Sequence, residues 1–174
     1  MLLTLIRHAK SSWDNPLQDD HDRPLNERGL RAAPVMGAVL ERDYFAAGKL
    51  PRPDAVVTST ARRARDTAAI IAGQIGFPAE RIEEDRTLYL PSVSDIIRTA
   101  RKLPAEVGHA IFFGHNPGFE DAALALAPGA EIPKFPTCAV CAIAFHAGSW
   151  AAVERGSGRC AAFLYPKMFP ENCA

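Results

Sequence analysis

Residues 4–13 read TLIRHAKSSW, and the fold turns on how the start of that stretch is read. An apolar and β-branched run, LLTLI at 2–6, passes without a turn into Arg7 and His8. A run that short and that apolar is a buried strand rather than a helix. The chain then repeats the device. DAVVTS at 54–59, entered through prolines at 51 and 53, is a second buried strand, and AIFFG at 110–114 is a third. Each of the three runs straight into polar residues.

Helical patterns lie between these strands. A helix is expected from about Asn26 to Asp43, with Asn26 as N-cap and Leu30, Ala33, Gly37 and Leu40 on one apolar stripe that Pro34 interrupts. Residues 61–75, capped by Thr60, put Ala64, Ala68, Ile71 and Ile75 on one face. Residues 92–103 turn Ile96, Ile97, Ala100 and Leu103 inward. After His115, Asn116 is expected to cap a further helix with Pro117 at its first position. RIEED at 81–85 reads as an edge strand, and AVCAIAF and CAAFLY as two closing strands. The alternation predicts an α/β protein: a three-layer α/β/α sandwich around a mostly parallel central sheet, one domain over 1–174. The closing strands would make the sheet mixed.

The 174 residues carry a formal net charge of zero, so no long-range field draws nucleic acid or an acidic membrane. No basic leader precedes the first strand, and no apolar run approaches the roughly 18 residues that span a bilayer. A cytoplasmic location is expected, with Cys138, Cys141, Cys160 and Cys173 as free thiols. Cys138 and Cys141 form a C-x-x-C, but strand positions three apart face opposite ways, so joint ligation of a metal is awkward. In QDDHDRP, 18–24, the residues Asp19, Asp20, His21 and Asp22 match no metal spacing and read as a solvated loop, with Arg23 pairing with Asp22. No metal and no other cofactor is expected.

Ligands of parallel α/β sheets sit beyond the carboxyl ends of the strands. That rule gathers Arg7 and His8, then Ser59 with Arg62 and Arg63, then His115 at one edge. Guanidinium forks match phosphate oxygens. An imidazole with one free nitrogen can attack phosphorus, and nearby cations keep it unprotonated. Such cations also supply the neutralising charge that a metal ion brings to phosphoryl transfer elsewhere. His8 is the candidate nucleophile; Arg7, Arg63 and His115 would hold the phosphoryl group. Lys10, Ser11 and Asn116 are further candidate phosphate-binding residues, and Ser12 is either a phosphate contact or loop packing with Trp13. Arg65 lies about 200° around the helix from Arg63 and belongs on the surface. His21, His109 and His146 read as structural.

These stretches also carry a family resemblance. LIRHA resembles the first-strand R-H-G motif of the histidine phosphatase superfamily, the phosphoglycerate-mutase-like fold, with Ala9 in place of glycine. TSTARRARDTA, 58–68, is similar to its second motif and aligns Arg63 with the phosphate-binding arginine. FFGHNPG, 112–118, resembles the third, whose histidine is His115. RHAKSSWDNP, DRPLNERG and GHNPG together resemble the small SixA-type phosphohistidine phosphatases. The resemblance implies transfer of phosphate to His8 and then hydrolysis, at a shallow site that a protein surface could reach. The chain departs from the phosphomonoesterases of that family at EDRTLYLP, 84–91, where their acid would fall near Leu90. Glu83, Glu84 and Asp85 lie upstream and read as a solvated edge, although Asp85 or a water could substitute. An alkoxide leaves poorly without a proton, whereas a phosphohistidine nitrogen leaves more easily. The expected substrate is therefore phosphohistidine in a protein partner. The alternatives are a small phosphorylated substrate, handled by a phosphomonoesterase or mutase of the same fold, and a non-catalytic phosphate-binding adaptor.

Overall fold

The computed structural model describes residues 1–170; Cys173 lies outside them. Among the described residues six strands form one sheet in the order β3-β2-β4-β1-β5-β6. They are β1 (Leu2–Arg7), β2 (Ala55–Thr58), β3 (Ile82–Glu84), β4 (His109–Gly114), β5 (Val140–Phe145) and β6 (Gly158–Leu164). β3, β2, β4 and β1 are parallel, and β5 and β6 are added antiparallel at one side. The sheet is mixed, as the closing strands predict.

Alternation along β1 and β4 decides what each face buries. Leu2, Ile6, Ile111 and Phe113 pack against α1 (Glu27–Val39) and α2 (Arg62–Gln74). Leu3, Leu5, Ala110 and Phe112 pack against α3 (Val93–Arg101) and α4 (Gly118–Leu126). The result is the three-layer sandwich. Cys138 falls in the first core and Cys141 in the second, so the C-x-x-C does point to opposite faces.

Several local expectations need correction. α1 begins where predicted, with the Asn26 side chain accepting from the Gly29 amide, and Pro34 sits inside it without ending it. The helix then widens into a π-helical turn over Leu40–Phe45. Leu30 is exposed, and the buried stripe runs instead through Gly29, Ala33, Met36 and Gly37. Gly29 is required there: a Cβ would lie 2.2 Å from the Lys10 carbonyl oxygen, where the loop after β1 crosses the helix. Thr60 does not cap α2; its hydroxyl meets His21. Asn116 does not cap α4, which starts two residues later at Gly118. Its amide is drawn away by an acceptor on each side, Glu120 Oε2 at 2.7 Å and the Phe135 carbonyl at 3.0 Å.

Candidate active site

β1 and β4 are neighbours, with Arg7 registered beside Gly114. The chain leaves β1 toward the α1 face and leaves β4 toward the α4 face. The connections therefore diverge at the two strand ends, the place where parallel α/β sheets bind ligands. β2 lies on the far side of β4 and delivers Ser59 and then α2, whose second residue is Arg63.

His8, Arg63, Ser59 and His115 are all buried, and their side chains converge there. The His8 and His115 rings stand 4.9 Å apart between centroids. His8 Nδ1 lies 2.7 Å from the Ala9 carbonyl, which can only accept, so Nδ1 holds the proton. The lone pair is then on Nε2, which accepts from Arg63 Nε at 3.3 Å. His115 has the opposite tautomer. Arg63 Nη2 donates to its Nδ1 at 3.3 Å, and its Nε2–H donates to Ser59 Oγ at 2.8 Å. Both rings are neutral. Burial first, then the charges of Arg63, Arg7 and Arg23, push His8 down to about 3. Burial, followed by His8 and Arg63, pushes His115 down to about 2. Arg7 donates from Nη1 to the Phe135 carbonyl at 2.8 Å, while its buried Nε–H meets no acceptor among the described residues. A half-buried guanidinium with its buried donor unspent fits an incoming oxyanion.

Of the other expected contacts, Ser11 is buried and its hydroxyl accepts from Arg23 Nη2 at 2.7 Å. Lys10 lines a separate hollow described below. Ala9, at the usual glycine position, is buried with its amide donating to Thr67 Oγ1 at 3.0 Å; that hydroxyl donates to the Arg63 carbonyl at 2.6 Å. One motif residue therefore ties the nucleophile's strand to the arginine's helix. Arg65 is on the surface, 3.6 Å from Glu84. His109 is buried, His146 is exposed, and His21 stacks edge-on with Tyr89 on the rim.

Two residues of the site were not expected. Asp20 does not sit in a free loop. Its Oδ2 accepts from Arg63 Nη2 at 2.9 Å and from the Tyr89 hydroxyl at 2.8 Å, and its Oδ1 accepts from Arg23 Nη1 at 2.9 Å. Its carbonyl oxygen also accepts from Arg63 Nη1. Desolvation raises its carboxyl, but the hydrogen bonds from Tyr89 and Arg63 outweigh that and hold it at about 2. Arg23 pairs with Asp20 rather than Asp22, whose carboxylate lies 3.3 Å from His21 instead. Tyr89 places its ring edge-on to His115, 5.3 Å between centroids. Local sequence around Asp20 and Tyr89 carried no signal, since each meets the site across a long stretch of chain.

The α/β fold thus carries two neutral imidazoles and two arginines clustered over the ends of its parallel strands. The chain belongs to the histidine phosphatase superfamily (branch 1), whose family model matches residues 3–89. It is similar to the uncharacterized protein Rv1276c of Mycobacterium tuberculosis, 34% identical over 171 residues that cover 93% of this chain and all of that one. Two solved structures, each described as a "putative phosphohistidine phosphatase SixA", share the fold at 26% identity. The one from Nakamurella multipartitia superposes with a TM-score of 0.78, covering 95% of both chains. The one from Agrobacterium tumefaciens gives 0.75, covering 95% of this chain and 97% of that one.

Proposed function

We propose that the protein is a phosphatase that carries the phosphoryl group on His8 and takes it from phosphohistidine in a protein partner. The observation that carries this reading is the Ala9 hydrogen bond, which leaves the Nε2 lone pair of His8 directed at Arg63. In the first step Nε2 attacks phosphorus and the donor's bond to phosphorus breaks. The departing imidazole keeps the electron pair and takes a proton from solvent. Water then attacks the phosphoryl group on His8, the N–P bond breaks, and Nε2 regains its lone pair as phosphate leaves.

Arg7 and Arg63 hold the equatorial oxygens and offset their charge, and His115 joins them once its Nδ1 takes up a proton, which is why the chemistry is metal-independent in this reading. A bound dianion also raises the His115 pKa, so that ring becomes a better donor as charge builds. Ser11 acts through Arg23, and Asn116 through the Phe135 carbonyl that holds Arg7. A protein substrate is supported by the rim. Trp13, stacked on Arg23, and Leu90, next to Tyr89, are exposed large apolar side chains beside the site.

A specific observation favours a second reading. The Asp20 carboxylate is one arginine removed from His8, and it could assist departure of an alkoxide from a small phosphate ester. Two measurements separate the readings. Phosphoramidate should leave acid-labile phosphate on His8 that is absent from His8→Ala. Turnover of a phosphohistidine peptide should exceed that of alkyl phosphates; the reverse order moves the assignment to the ester. No labelling and no turnover would leave only a phosphate-binding adaptor.

A further inference from the structure

Beside the catalytic cluster lies a hollow of about 430 Å³ that the chemistry above does not use. Lys10, Arg28, Arg31 and Lys167 line it, with Pro136 and Tyr165 as apolar wall. Among the described residues no Asp or Glu lines it. In a chain with equal numbers of acidic and basic residues, four cations around one hollow are a local excess. The Lys10, Arg28 and Lys167 side chains make no hydrogen bond or ion pair with any described residue. Among the described residues Arg31 pairs only with Glu27, 3.9 Å away and outside the hollow.

The hollow and the cluster share backbone. Lys10 is two residues beyond His8, and its carbonyl is fixed by the Asn26 amide at 2.9 Å. Pro136 follows the residue whose carbonyl holds Arg7. A molecule with its phosphoryl group at His8 and a second charge a few bonds away would reach both. The arginine forks suit carboxylate and phosphate alike, and the proline and tyrosine faces suit the organic part between.

We propose that this hollow binds a second anionic group, a carboxylate or a phosphoryl group, on the same molecule that presents its phosphoryl group to His8. The proposal rests on the reading of His8 as phosphoryl acceptor. The second anion has two sources: an acidic side chain flanking phosphohistidine on a protein, or the second phosphate of a small bisphosphate.

The test uses the full chain and an Arg28→Gln/Lys167→Gln variant, both positions exposed and outside the catalytic cluster. Substrates come in pairs: a phosphohistidine peptide flanked by glutamates or by glutamines, and a sugar bisphosphate or its monophosphate. p-Nitrophenyl phosphate is the reference with no second anion. Wild type should prefer the more anionic member of one pair by roughly five- to tenfold in kcat/KM, through KM, as several exposed charge pairs supply. About 0.5 M salt should shrink that preference by screening. The variant should lose it while its p-nitrophenyl phosphate turnover stays within about twofold, the charge change being remote from the reacting atoms. The pair that shows the preference identifies the source. Equal kcat/KM within both pairs, or a preference that survives in the variant, overturns the proposal. If nothing is turned over in a His8-dependent way, the reading of His8 fails instead. The hollow is then tested by titration with a fluorescent hexaglutamate peptide and with pyrophosphate. Salt-sensitive binding lost in the variant sustains the hollow as an anion site; absent or unaltered binding removes it.

Discussion

His8 and His109 make the most instructive pair in the molecule. Both are buried, and both are neutral with the proton on Nδ1, held there by a backbone carbonyl: Ala9 at 2.7 Å for His8 and Pro51 at 2.8 Å for His109. Burial is the leading cause of a depressed pKa in each, to about 3 for His8 and about 4 for His109. They differ in what faces Nε2. For His109 it is the Thr4 hydroxyl at 2.9 Å, a neutral donor that completes the ring's hydrogen bonding. For His8 it is a guanidinium, with a second imidazole 4.9 Å away. His109 opens β4 at its amino end, whereas His115 follows the carboxyl end of the same strand. Burial and a perturbed pKa are common to both histidines; cations around the free lone pair are what set His8 apart.

The largest expected effect breaks the pair apart. His8→Ala should lower phosphatase turnover by about 10⁴-fold or more, because in the proposed reading His8 carries the covalent intermediate. The variant should melt near wild type. His109→Gln should do the opposite: kcat/KM within about threefold, but stability lower by about 2 kcal/mol in urea titration, since a buried hydrogen-bonded pair is disturbed. Equal activity losses from both would refute the distinction. Arg63→Ala comes next, at about 10²- to 10³-fold in kcat/KM, the scale for losing one charged oxyanion donor. Arg63→Lys should recover little, because a point charge cannot serve His8 and His115 at once.

pH sharpens the comparison through stability. The fold holds His109 neutral, so the unfolded chain binds a proton first as pH falls below its ordinary 6.5. His109 therefore adds stability that is full above pH 6.5 and is lost as pH falls toward about 4, an effect on the order of 3 kcal/mol. His8 and His115 add slopes of the same sign. Urea midpoints measured from pH 7 to 4 should fall, and fall less steeply in His109→Gln. Activity should be less sensitive: the acid limb of kcat/KM belonging to the enzyme should lie below pH 5, not at 6.5, because His8 stays neutral down to about 3. An enzyme pKa near 6.5 in that profile would contradict the neutral pair.

What was legible in the sequence follows from range. The strands β1, β2 and β4 are short apolar runs, and the rule about carboxyl ends brought His8, Arg63 and His115 together without any contact being known. α1 was legible through Asn26 as its cap, because capping is a bond within four residues, and α3 through its apolar spacing. Asn116 was misread by the same local logic, since nothing in its neighbourhood announces that Phe135 will compete for its amide. Asp20 was misread more deeply. Its loop looks like any acidic turn, and its role is set by Arg63, 43 residues away, and Tyr89, 69 residues away. The first half of the site is written in local pattern, and the rim is written only in the folded chain.

Asp20 gives the smallest and most discriminating expectation. Its carboxylate holds a donor of Arg63 that an incoming phosphoryl oxygen would need, and at about 2 its pKa keeps it ionised wherever the protein is active. An ionised carboxylate there competes with the ligand and repels it. Asp20→Asn removes the charge and keeps the shape, so inorganic phosphate should inhibit about three- to tenfold more tightly, on the scale of one partly exposed charge interaction. Turnover of a phosphohistidine peptide should change by less than about threefold, because that leaving group draws no proton from Asp20. A loss of tenfold or more confined to alkyl phosphates would instead make Asp20 the proton carrier for an alkoxide. Weaker phosphate inhibition would mean that the carboxylate orders Arg63 more than it obstructs it. Comparing phosphate inhibition with ester turnover in this one variant therefore decides whether the rim residue guards the anion site or takes part in the reaction.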